Sequence, residues 1–326
     1  MSCLKINNLT LKFGGVTAID SVNVEVIKGQ VFSIIGPNGA GKTSLFNTIT
    51  GIYLPTEGKI FFQGKELKKT FSFAFLIVLG VAFLLSGFLV LCLYNIEYLW
   101  EQIIINDYIY QEPFNWQAAF VKFQAITLEL MQDHNFWIFF NSGLLASLAM
   151  IMSWKHSVVT PHFVSRKGLS RTFQNIRLFP QMTVAENVLM AAESRNRKSA
   201  ASITKELLEL TELTRHSEQL STNLPYGLQR RLEIARAMAL NPEILLLDEP
   251  AAGMNPSEAK ELVELIAKIK KRGITIILIE HHMKVVMDIS DRIAVLDYGN
   301  KIAEGTPEEI KQNPQVIKAY LGSEDE

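Results

Sequence analysis

Cysteine is scarce in this chain, and its two cysteines, Cys3 and Cys92, lie far apart in the sequence. Two distant cysteines predict neither a disulfide framework nor a zinc site, and they are typical of a protein in a reducing cytosol. The first residues also lack the charged and then apolar layout of a signal peptide. We therefore expect the N-terminus to stay in the cytosol.

An excess of charge of either sign is also missing. The 32 Lys and Arg residues nearly balance the 33 Asp and Glu residues, and no basic cluster stands out. This pattern argues against nucleic-acid binding and indicates a protein partner that is selected by shape or by apolar contact.

A glycine-rich loop follows an apolar strand pattern at residues 31–35 and precedes a helix pattern. In this setting the pattern predicts a phosphate-binding P-loop, because its backbone N–H groups and the helix N-terminus attract an anion. We expect Lys42 to reach the β- and γ-phosphates and the Thr43 hydroxyl to ligate Mg²⁺. The predicted nucleoside triphosphate site comprises Gly36, Pro37, Asn38, Gly39, Ala40, Gly41, Lys42, Thr43 and Ser44.

A second apolar run, residues 244–247, ends in the adjacent carboxylates Asp248 and Glu249. A buried strand with an acidic tip is a Walker B pattern once a P-loop lies upstream. Asp248 would hold Mg²⁺ through water, and Glu249 would orient or deprotonate the water that attacks the γ-phosphate. These two residues complete the expected ATP and Mg²⁺ site.

Charged residues are absent from residues 71–94. A helix of this length is about 36 Å long, enough to cross a hydrocarbon core of about 30 Å. A second uncharged stretch, residues 136–154, is shorter and is interrupted by Asn141, Ser142 and Gly143. We predict two membrane spans; the alternative is a buried helical hairpin, although neither stretch has the polar face of a soluble helix.

The charges around the two stretches favour membrane spans over a buried helical hairpin. Acidic residues dominate residues 95–135, whereas the outer flanks are basic, and basic ends belong in the cytosol. Within residues 116–130, apolar side chains recur at steps of three and four, which predicts an amphipathic helix that lies on the outer leaflet or packs between the spans. The basic flanking residues are Lys65, Lys68, Lys69, Lys155, Arg166 and Lys167.

Several short motifs occur in the order and spacing of an ABC-transporter ATPase. In detail they resemble the ATP-binding subunit of high-affinity branched-chain amino-acid importers, and the resemblance covers both blocks that flank the apolar insert. The motifs are the P-loop and the Walker B strand already described, Phe13-Gly14-Gly15, Ser170-Arg171-Thr172-Phe173-Gln174, Leu224-Pro225-Tyr226-Gly227-Leu228, Arg230-Arg231-Leu232-Glu233-Ile234-Ala235-Arg236, Glu249-Pro250-Ala251-Ala252-Gly253, Ile279-Glu280-His281 and Ala319-Tyr320-Leu321-Gly322.

The resemblance implies an α/β fold of the P-loop NTPase class. It would have a RecA-like core, an antiparallel β-subdomain and a helical subdomain at about residues 175–235. Residues 1–67 and 160–326 would form the nucleotide-binding domain. Residues 68–159 would form an inserted all-α transmembrane hairpin.

The resemblance also implies roles for single residues. Phe13 would stack on adenine, Gln174 would sense Mg²⁺ or water and relay to a permease, and His281 would contact the γ-phosphate. The residues taken alone leave other readings open, because Phe13 fits a core position, Gln174 a solvated loop and His281 a strand end.

The signature segment Leu224, Pro225, Tyr226 and Gly227 departs from the usual Leu-Ser-Gly-Gly-Gln pattern at Pro225, Tyr226 and Leu228. In the family, the signature of one subunit closes over ATP held by the P-loop of the other. The departure therefore concerns the partner's nucleotide, and we expect Gly227 and the following helix N-terminus to compensate.

From these features we predict the ATP-hydrolysing subunit of an importer for branched-chain or hydrophobic amino acids. Its expected partners are a second ATPase subunit, integral-membrane permease subunits and, indirectly, a periplasmic binding protein. It would lie at the cytoplasmic face of the inner membrane, integral through residues 71–94 and 136–154. The alternatives are a low-turnover regulatory or anchoring half of a heterodimer and the ATPase of a lipid or lipopolysaccharide exporter.

Overall fold

Strands and helices alternate along most of the chain in the computed structural model, which describes residues 2–67, 73–105, 115–130, 135–156 and 160–321. The strands are β1 (Ser2–Phe13), β2 (Val16–Ile27), β3 (Val31–Ile35), β4 (Glu57–Phe62), β5 (Lys65–Glu66), β6 (Leu169–Arg171), β7 (Ile244–Asp248), β8 (Thr275–Ile279), β9 (Arg292–Asp297) and β10 (Asn300–Gly305). The helices are α1 (Lys42–Ile49), α2 (Phe73–Tyr94), α3 (Ile96–Trp100), α4 (Trp116–Leu130), α5 (Asn135–His156), α6 (Pro161–Arg166), α7 (Val184–Arg195), α8 (Ala200–Leu210), α9 (Tyr226–Met238), α10 (Pro256–Lys271), α11 (Met283–Ile289), α12 (Pro307–Lys311) and α13 (Pro314–Leu321).

The chain divides into two compact units. Residues 1–68 and 159–326 form the first unit, and residues 69–158 form the second. The first residues of the predicted span 71–94 and the predicted domain edges at 68 and 159 lie outside the described residues.

The first unit contains two sheets. Its described strands form an antiparallel sheet in the order β2-β1-β4-β5 and a larger sheet in the order β10-β9-β3-β8-β7-β6. In the larger sheet, β3 pairs in parallel with β8 and β9, and β7 pairs in parallel with β6 and β8. The predicted α/β fold is thereby confirmed.

The central strands β3, β7 and β8 of the larger sheet are buried along their whole length, as their continuous apolar sequences require. Successive residues of β7 alternate between two cores: Leu245 and Leu247 pack with the side of α7 to α10, whereas Ile244 and Leu246 pack with the side of the antiparallel sheet and α1. This alternation fixes the strand register, because a slip by one residue would exchange the two faces. Because the strands are parallel, the carboxyl ends of β3, β7 and β8 lie at one edge of the sheet.

The second unit is all helical in its described residues. Helices α2 and α5 pack closely because glycines face phenylalanines: a Cβ on Gly87 would lie 2.8 Å from the Phe139 ring, and one on Gly143 would lie 2.8 Å from the Phe83 ring. The rings of Phe83 and Phe139 meet edge to face at 6.0 Å. Small residues at a helix contact permit this close approach.

The helix predicted at residues 116–130 is confirmed as α4. Ile126 and Ala119 are buried against Leu99 and Ile103, with Phe123 packed at their edge. Trp116 and Phe120, which belong to the same predicted apolar face, are exposed. Only part of the periodic face is therefore used for packing within the unit.

Among the described residues, one helical segment, Phe75–Tyr94, is long and apolar enough to cross a membrane by length and composition, with mean hydropathy 2.9. The second predicted span does form helix α5, but its apolar part, Phe136–Met152, is shorter than that criterion requires. By length and composition, only the first of the two predicted spans meets that criterion within the described residues.

Candidate functional site: the P-loop and the ends of the neighbouring strands

The predicted P-loop lies between β3 and α1. Gly41 precedes the first residue of α1 and no side chain of the described chain caps that helix. The N–H groups of a first helical turn need acceptors, and a helix N-terminus carries partial positive charge. This end of α1 is therefore suited to hold phosphate oxygens.

Two glycines are sterically required in this loop. Gly36 has φ of 151°, and a Cβ there would lie 2.1 Å from the Leu296 carbonyl oxygen. Gly41 has φ of 97°, and its Cβ would lie 2.5 Å from the Ala18 carbonyl oxygen. Since both obstacles are backbone atoms, no other residue fits without moving the chain.

Lys42 lies under the loop. Its Nζ donates to the carbonyl oxygens of Gly36 at 2.8 Å and Pro37 at 2.9 Å. Burial lowers the pKa of the Lys42 ammonium from its ordinary value, and the Glu249 carboxylate partly opposes this effect. A bound phosphate would supply the negative charge that the buried ammonium lacks.

A cavity of about 530 Å³ brings the P-loop together with two other predicted site residues, Gln174 and Glu249. This volume lies within the range of about 300–1,000 Å³ that small-molecule sites occupy. Its lining residues are Val16, Thr17, Ala18, Asn38, Gly39, Ala40, Gly41, Lys42, Thr43, Ser44, Gln174, Glu249, Tyr298 and Gly299.

Asp248 ends β7 and is almost completely buried. Arg171, at the end of the neighbouring β6, donates from Nη2 to Asp248 Oδ2 at 2.7 Å. Burial raises the pKa of the Asp248 carboxyl, whereas the Arg171 guanidinium works against that rise. Arg171 also donates to the Asn47 side chain on α1 at 2.6 Å, so the Walker B strand is tied to the P-loop helix.

Within the described residues, no group of three or more His, Cys, Asp or Glu side chains could hold a metal ion alone. Mg²⁺ that is bound together with a nucleotide uses one or two protein oxygens along with phosphate oxygens and water. Thr43 in the cavity lining and Asp248 at the strand end are oxygen donors of this kind. The residues present therefore fit a nucleotide-bound Mg²⁺.

Glu249 has a left-handed backbone, with φ of 45°. This conformation is uncommon outside glycine and asparagine, and here the Glu249 N–H donates to the Ile279 carbonyl of β8 at 2.9 Å. Glu249 Oε2 accepts from Gln174 Nε2 at 2.9 Å and lies 3.7 Å from His281 Nδ1. The structure thus brings the other two predicted catalytic residues, Gln174 and His281, close to one carboxylate oxygen of Glu249.

Glu280 was not singled out by the sequence reasoning, yet it orders the turn beside His281. Its side chain is fully buried. It accepts from the backbone N–H groups of Ala251 at 2.7 Å, His281 at 3.1 Å and His282 at 3.2 Å. One sequence feature could have indicated this role. Glu280 is an acidic residue at the end of an apolar run, and a buried carboxylate needs several hydrogen bonds.

The signature residues lie outside the P-loop cavity. Leu224, Pro225, Tyr226 and Gly227 do not line the described cavity. Pro225 precedes the first residue of α9, and the Tyr226 ring is 3.4 Å from where a Cβ on Gly253 would stand. The signature therefore packs on the turn that follows Glu249 rather than on the P-loop cavity of the described chain.

Phe13 is 45% exposed at the end of β1 and meets Tyr53 edge to face at 5.0 Å. It is not among the described residues that line the cavity, although Val16, three residues later, is. Its exposure disfavours the core alternative, and adenine stacking stays a prediction.

A glycine loop around a helix N-terminus, a buried lysine and an acidic strand end define a nucleotide-binding site of the P-loop class. A family model described as "ABC transporter" matches residues 19–81 and 151–252, and one described as "Branched-chain amino acid ATP-binding cassette transporter" matches residues 300–326. Residues 82–150 fall outside both matches.

Curated relatives match nearly the whole chain. The high-affinity branched-chain amino acid transport ATP-binding proteins BraF of Pseudomonas aeruginosa and LivG of Escherichia coli K12 are each 36% identical, covering 98% of this chain and 97% of theirs. The chain belongs to the ATP-binding subunits of ABC transporters. It is an ABC-type ATPase, in which ATP hydrolysis is coupled to transport.

Solved structures agree on the fold. The ADP conformation of MJ1267, an ATP-binding cassette of an ABC transporter, aligns with a TM-score of 0.65 at 23% identity over 99% of both chains. A nucleotide-free ATP-binding cassette from an ABC transporter aligns with a TM-score of 0.63 at 25% identity, over 99% of this chain and 100% of that one. The predicted ABC ATPase fold is confirmed.

Proposed function

We propose that the chain is the ATPase subunit of an importer for branched-chain or other hydrophobic amino acids. The observation that carries the proposal is the 36% identity to BraF and LivG over 98% of the chain. The family match at residues 300–326 supports the same subfamily at the C-terminal end.

In this proposal the P-loop residues, Gly36 to Ser44, bind the triphosphate of ATP. Lys42 holds the β- and γ-phosphates, and Thr43 and Asp248 hold Mg²⁺, Asp248 through water. Bound Mg²⁺ supplies charge neutralisation at the phosphates. Phe13 stacks on the adenine ring.

Glu249 is the proposed residue that orients or deprotonates the attacking water. Its carboxylate oxygen is held by the Gln174 amide at 2.9 Å, which leaves the second oxygen to accept from water. His281, close to the same carboxylate, contacts the γ-phosphate and stabilises developing charge. Catalysis of this kind is mostly positioning and electrostatic stabilisation.

The proposed partner in ATP binding is a second ATPase subunit. The signature residues lie outside the chain's own P-loop cavity, so they are available to close over a nucleotide held by another subunit. We infer that two composite sites form between the subunits of a heterodimer, and that the helical subdomain at about residues 175–235 carries the signature.

The remaining partners follow from the importer proposal. Residues 174–182 would receive the cytoplasmic helices of the permease, because this segment follows Gln174 and exposes Phe179. A periplasmic binding protein would deliver the substrate to that permease.

We also infer that residues 68–159 are an insertion in the nucleotide-binding domain, formed by residues 1–67 and 160–326, and that the insertion ties the protein to the inner membrane. Only 11% of the apolar window in Phe75–Tyr94 is buried within the structure. Small residues pack the contact with α5 while leucines point outward, a distribution suited to lipid. The exposed apolar residues of α2 include Leu76, Ile77, Val78, Val81, Leu84, Leu85, Leu89 and Leu93.

Carbonate extraction tests the membrane proposal. The full chain is expected in the membrane pellet, and a chain without residues 68–159 is expected in the supernatant. Leu85→Lys places a charge at the middle of α2, which costs about 3 kcal/mol in a bilayer and should weaken retention. Tyr94→Lys, at the end of the same helix, should be retained because its charge reaches the interface. Release of the full chain by carbonate would contradict insertion.

Uptake in cells tests the substrate proposal. A strain that lacks this gene is supplied with the wild-type chain or with Glu249→Gln, and uptake of labelled leucine, of labelled methionine and of a labelled phospholipid precursor is compared. Restoration of leucine uptake by the wild type alone is expected. Restoration of another solute without leucine would overturn the assignment.

A further inference from the structure

A buried arginine of α9 holds the backbone beside Gln174. Arg230 is fully buried. Its Nη1 donates to the Phe173 carbonyl oxygen at 2.7 Å, and its Nη2 donates to the Gln174 carbonyl oxygen at 2.9 Å. One planar guanidinium therefore binds two successive carbonyls and fixes the direction of the chain between them.

Glu233, one turn later on α9, completes the contact. Its Oε2 accepts from Arg230 Nη1 at 2.7 Å, and its Oε1 accepts from the Phe173 N–H at 3.1 Å. Burial raises the pKa of the Glu233 carboxyl, and the Arg230 charge opposes that rise. We call Arg230 and Glu233 the α9 clamp; together they bind three backbone groups of Phe173 and Gln174.

Stability alone does not account for the α9 clamp. Arg230 Nε is buried and has no hydrogen-bond partner within the described chain. An unsatisfied buried donor lowers stability, and a buried ion pair is often no more stabilising than apolar packing. The arrangement thus fixes the backbone at Phe173 and Gln174 at the expense of one unpaired buried donor.

The clamp lies between two functional elements. On one side, Arg230 is one turn after Tyr226 of the signature, and its Nη2 lies 3.4 Å from the Tyr226 hydroxyl. On the other side, the Gln174 amide reaches Glu249 at 2.9 Å. The clamp thus joins the signature helix to the backbone of Gln174, whose side chain contacts the Glu249 carboxylate.

We propose that Arg230 is a positioning residue that makes the Gln174–Glu249 contact depend on the position of the signature helix. The inference rests on the proposed pairing of two ATPase subunits, in which the partner's nucleotide contacts the signature. When a partner's ATP draws α9 into place, the clamp carries residues 173–174 with it. Glu249 of this chain's own site is then aligned, so the two composite sites are linked.

The test compares Arg230→Gln with Arg231→Gln in the full chain. Arg231 is the next residue of α9 and is also buried, but it donates to Glu212, Glu261 and the Thr211 carbonyl, none of them in the segment around Gln174. Each variant removes one buried guanidinium from the same helix. Only Arg230→Gln should affect Gln174.

Amide hydrogen exchange gives the first readout and needs no turnover. Exchange of residues 173–182 is expected to rise about tenfold in Arg230→Gln, because hydrogen bonds that restrain this backbone are lost. In Arg231→Gln the same peptide should exchange as in the wild type. Equal exchange of this peptide in all three proteins would overturn the proposal.

A double-mutant cycle gives the second readout. Arg230→Gln is expected to lower kcat by up to about tenfold, the loss expected of Gln174→Ala, at unchanged KM for ATP. In a Gln174→Ala background the same change should alter kcat less than about twofold, because the contact that it supports is already gone. An equal loss in both backgrounds would contradict a role through Gln174.

The outcomes separate this inference from the proposed function. A wild-type chain without ATPase activity in the presence of its partner subunits would count against the proposed function, and hydrogen exchange would then decide the inference alone. If Arg230→Gln does not fold, Arg230→Lys replaces it, since lysine keeps the charge opposite Glu233 without spanning both carbonyls. Arg230→Lys is expected to show the raised hydrogen exchange and the loss of kcat that are expected of Arg230→Gln. Unchanged exchange, or an equal loss of kcat in the Gln174→Ala background, would overturn the proposal.

Discussion

The side-chain amide of Gln174 donates a 2.9 Å hydrogen bond to Glu249 Oε2. Gln174 follows β6 and Glu249 follows β7, which are neighbouring parallel strands. The carboxyl ends of such strands meet at one edge, where α/β proteins bind ligands. The contact joins a loop amide to the carboxylate proposed to act on water.

Gln174→Ala is expected to lower ATP turnover by about tenfold and to leave ATP affinity unchanged, because the amide positions Glu249 but lies off the P-loop. Steady-state hydrolysis and binding of a fluorescent ATP analogue measure the two quantities. Gln219→Ala removes an exposed amide outside the cavity lining and serves as the matched control. A large loss of affinity in Gln174→Ala would assign the residue to binding instead.

Arg171→Gln is expected to move the acid limb of the pH–activity profile to higher pH. Burial raises the pKa of Asp248, and Arg171, with a smaller contribution from Arg230, opposes the rise, while Glu249 adds to it. Without Arg171, Asp248 takes up its proton at higher pH, and a protonated carboxyl no longer holds Mg²⁺. Arg177→Gln, an exposed charge on the same segment, is the control. If the acid limb of Arg171→Gln does not shift, protonation of Asp248 is not the cause of the activity loss at low pH.

Asn187→Ala is expected to lower the free energy of unfolding by about 2 kcal/mol or more. The Asn187 side chain is fully buried, accepts from the Phe179 N–H and donates to carbonyls of Phe179, Met182 and Thr183. Its loss removes the acceptor of the Phe179 N–H and three donor contacts, although the carbonyls of Phe179, Met182 and Thr183 keep other donors. Denaturant unfolding measures the effect, and the exposed Asn196→Ala at the end of the same helix should change stability by less than about 0.5 kcal/mol.

Contiguous motifs were enough to predict the P-loop, the Walker B strand and the α/β fold. Gly36 to Thr43 and the run that ends at Glu249 each carry a local pattern whose geometry follows from glycine conformation and strand burial. Sequence order could not show that Arg171 pairs with Asp248, or that Arg230 binds the carbonyls of Phe173 and Gln174. Both contacts join residues more than fifty positions apart and exist only after the strands and α9 have packed.

The apolar insert shows a different limit of sequence reasoning. Periodicity and composition predicted helices at 116–130 and within the two uncharged stretches, and the structure has them. The reciprocal contacts of Gly87 with Phe139 and Gly143 with Phe83 could not be predicted, because they depend on the relative register of two helices. Of the two predicted spans, only the first has the length and composition of a membrane-crossing helix within the described residues.

The measurement that tests the account most directly is ATP hydrolysis by Glu249→Gln, paired with ATP binding and compared with Glu243→Gln at the opposite end of the same strand. The account predicts that Glu249→Gln binds ATP as the wild type does and loses turnover by about 10²- to 10⁴-fold. Glu243→Gln should hydrolyse ATP at the wild-type rate. Full hydrolysis by Glu249→Gln would contradict the catalytic role proposed for this carboxylate.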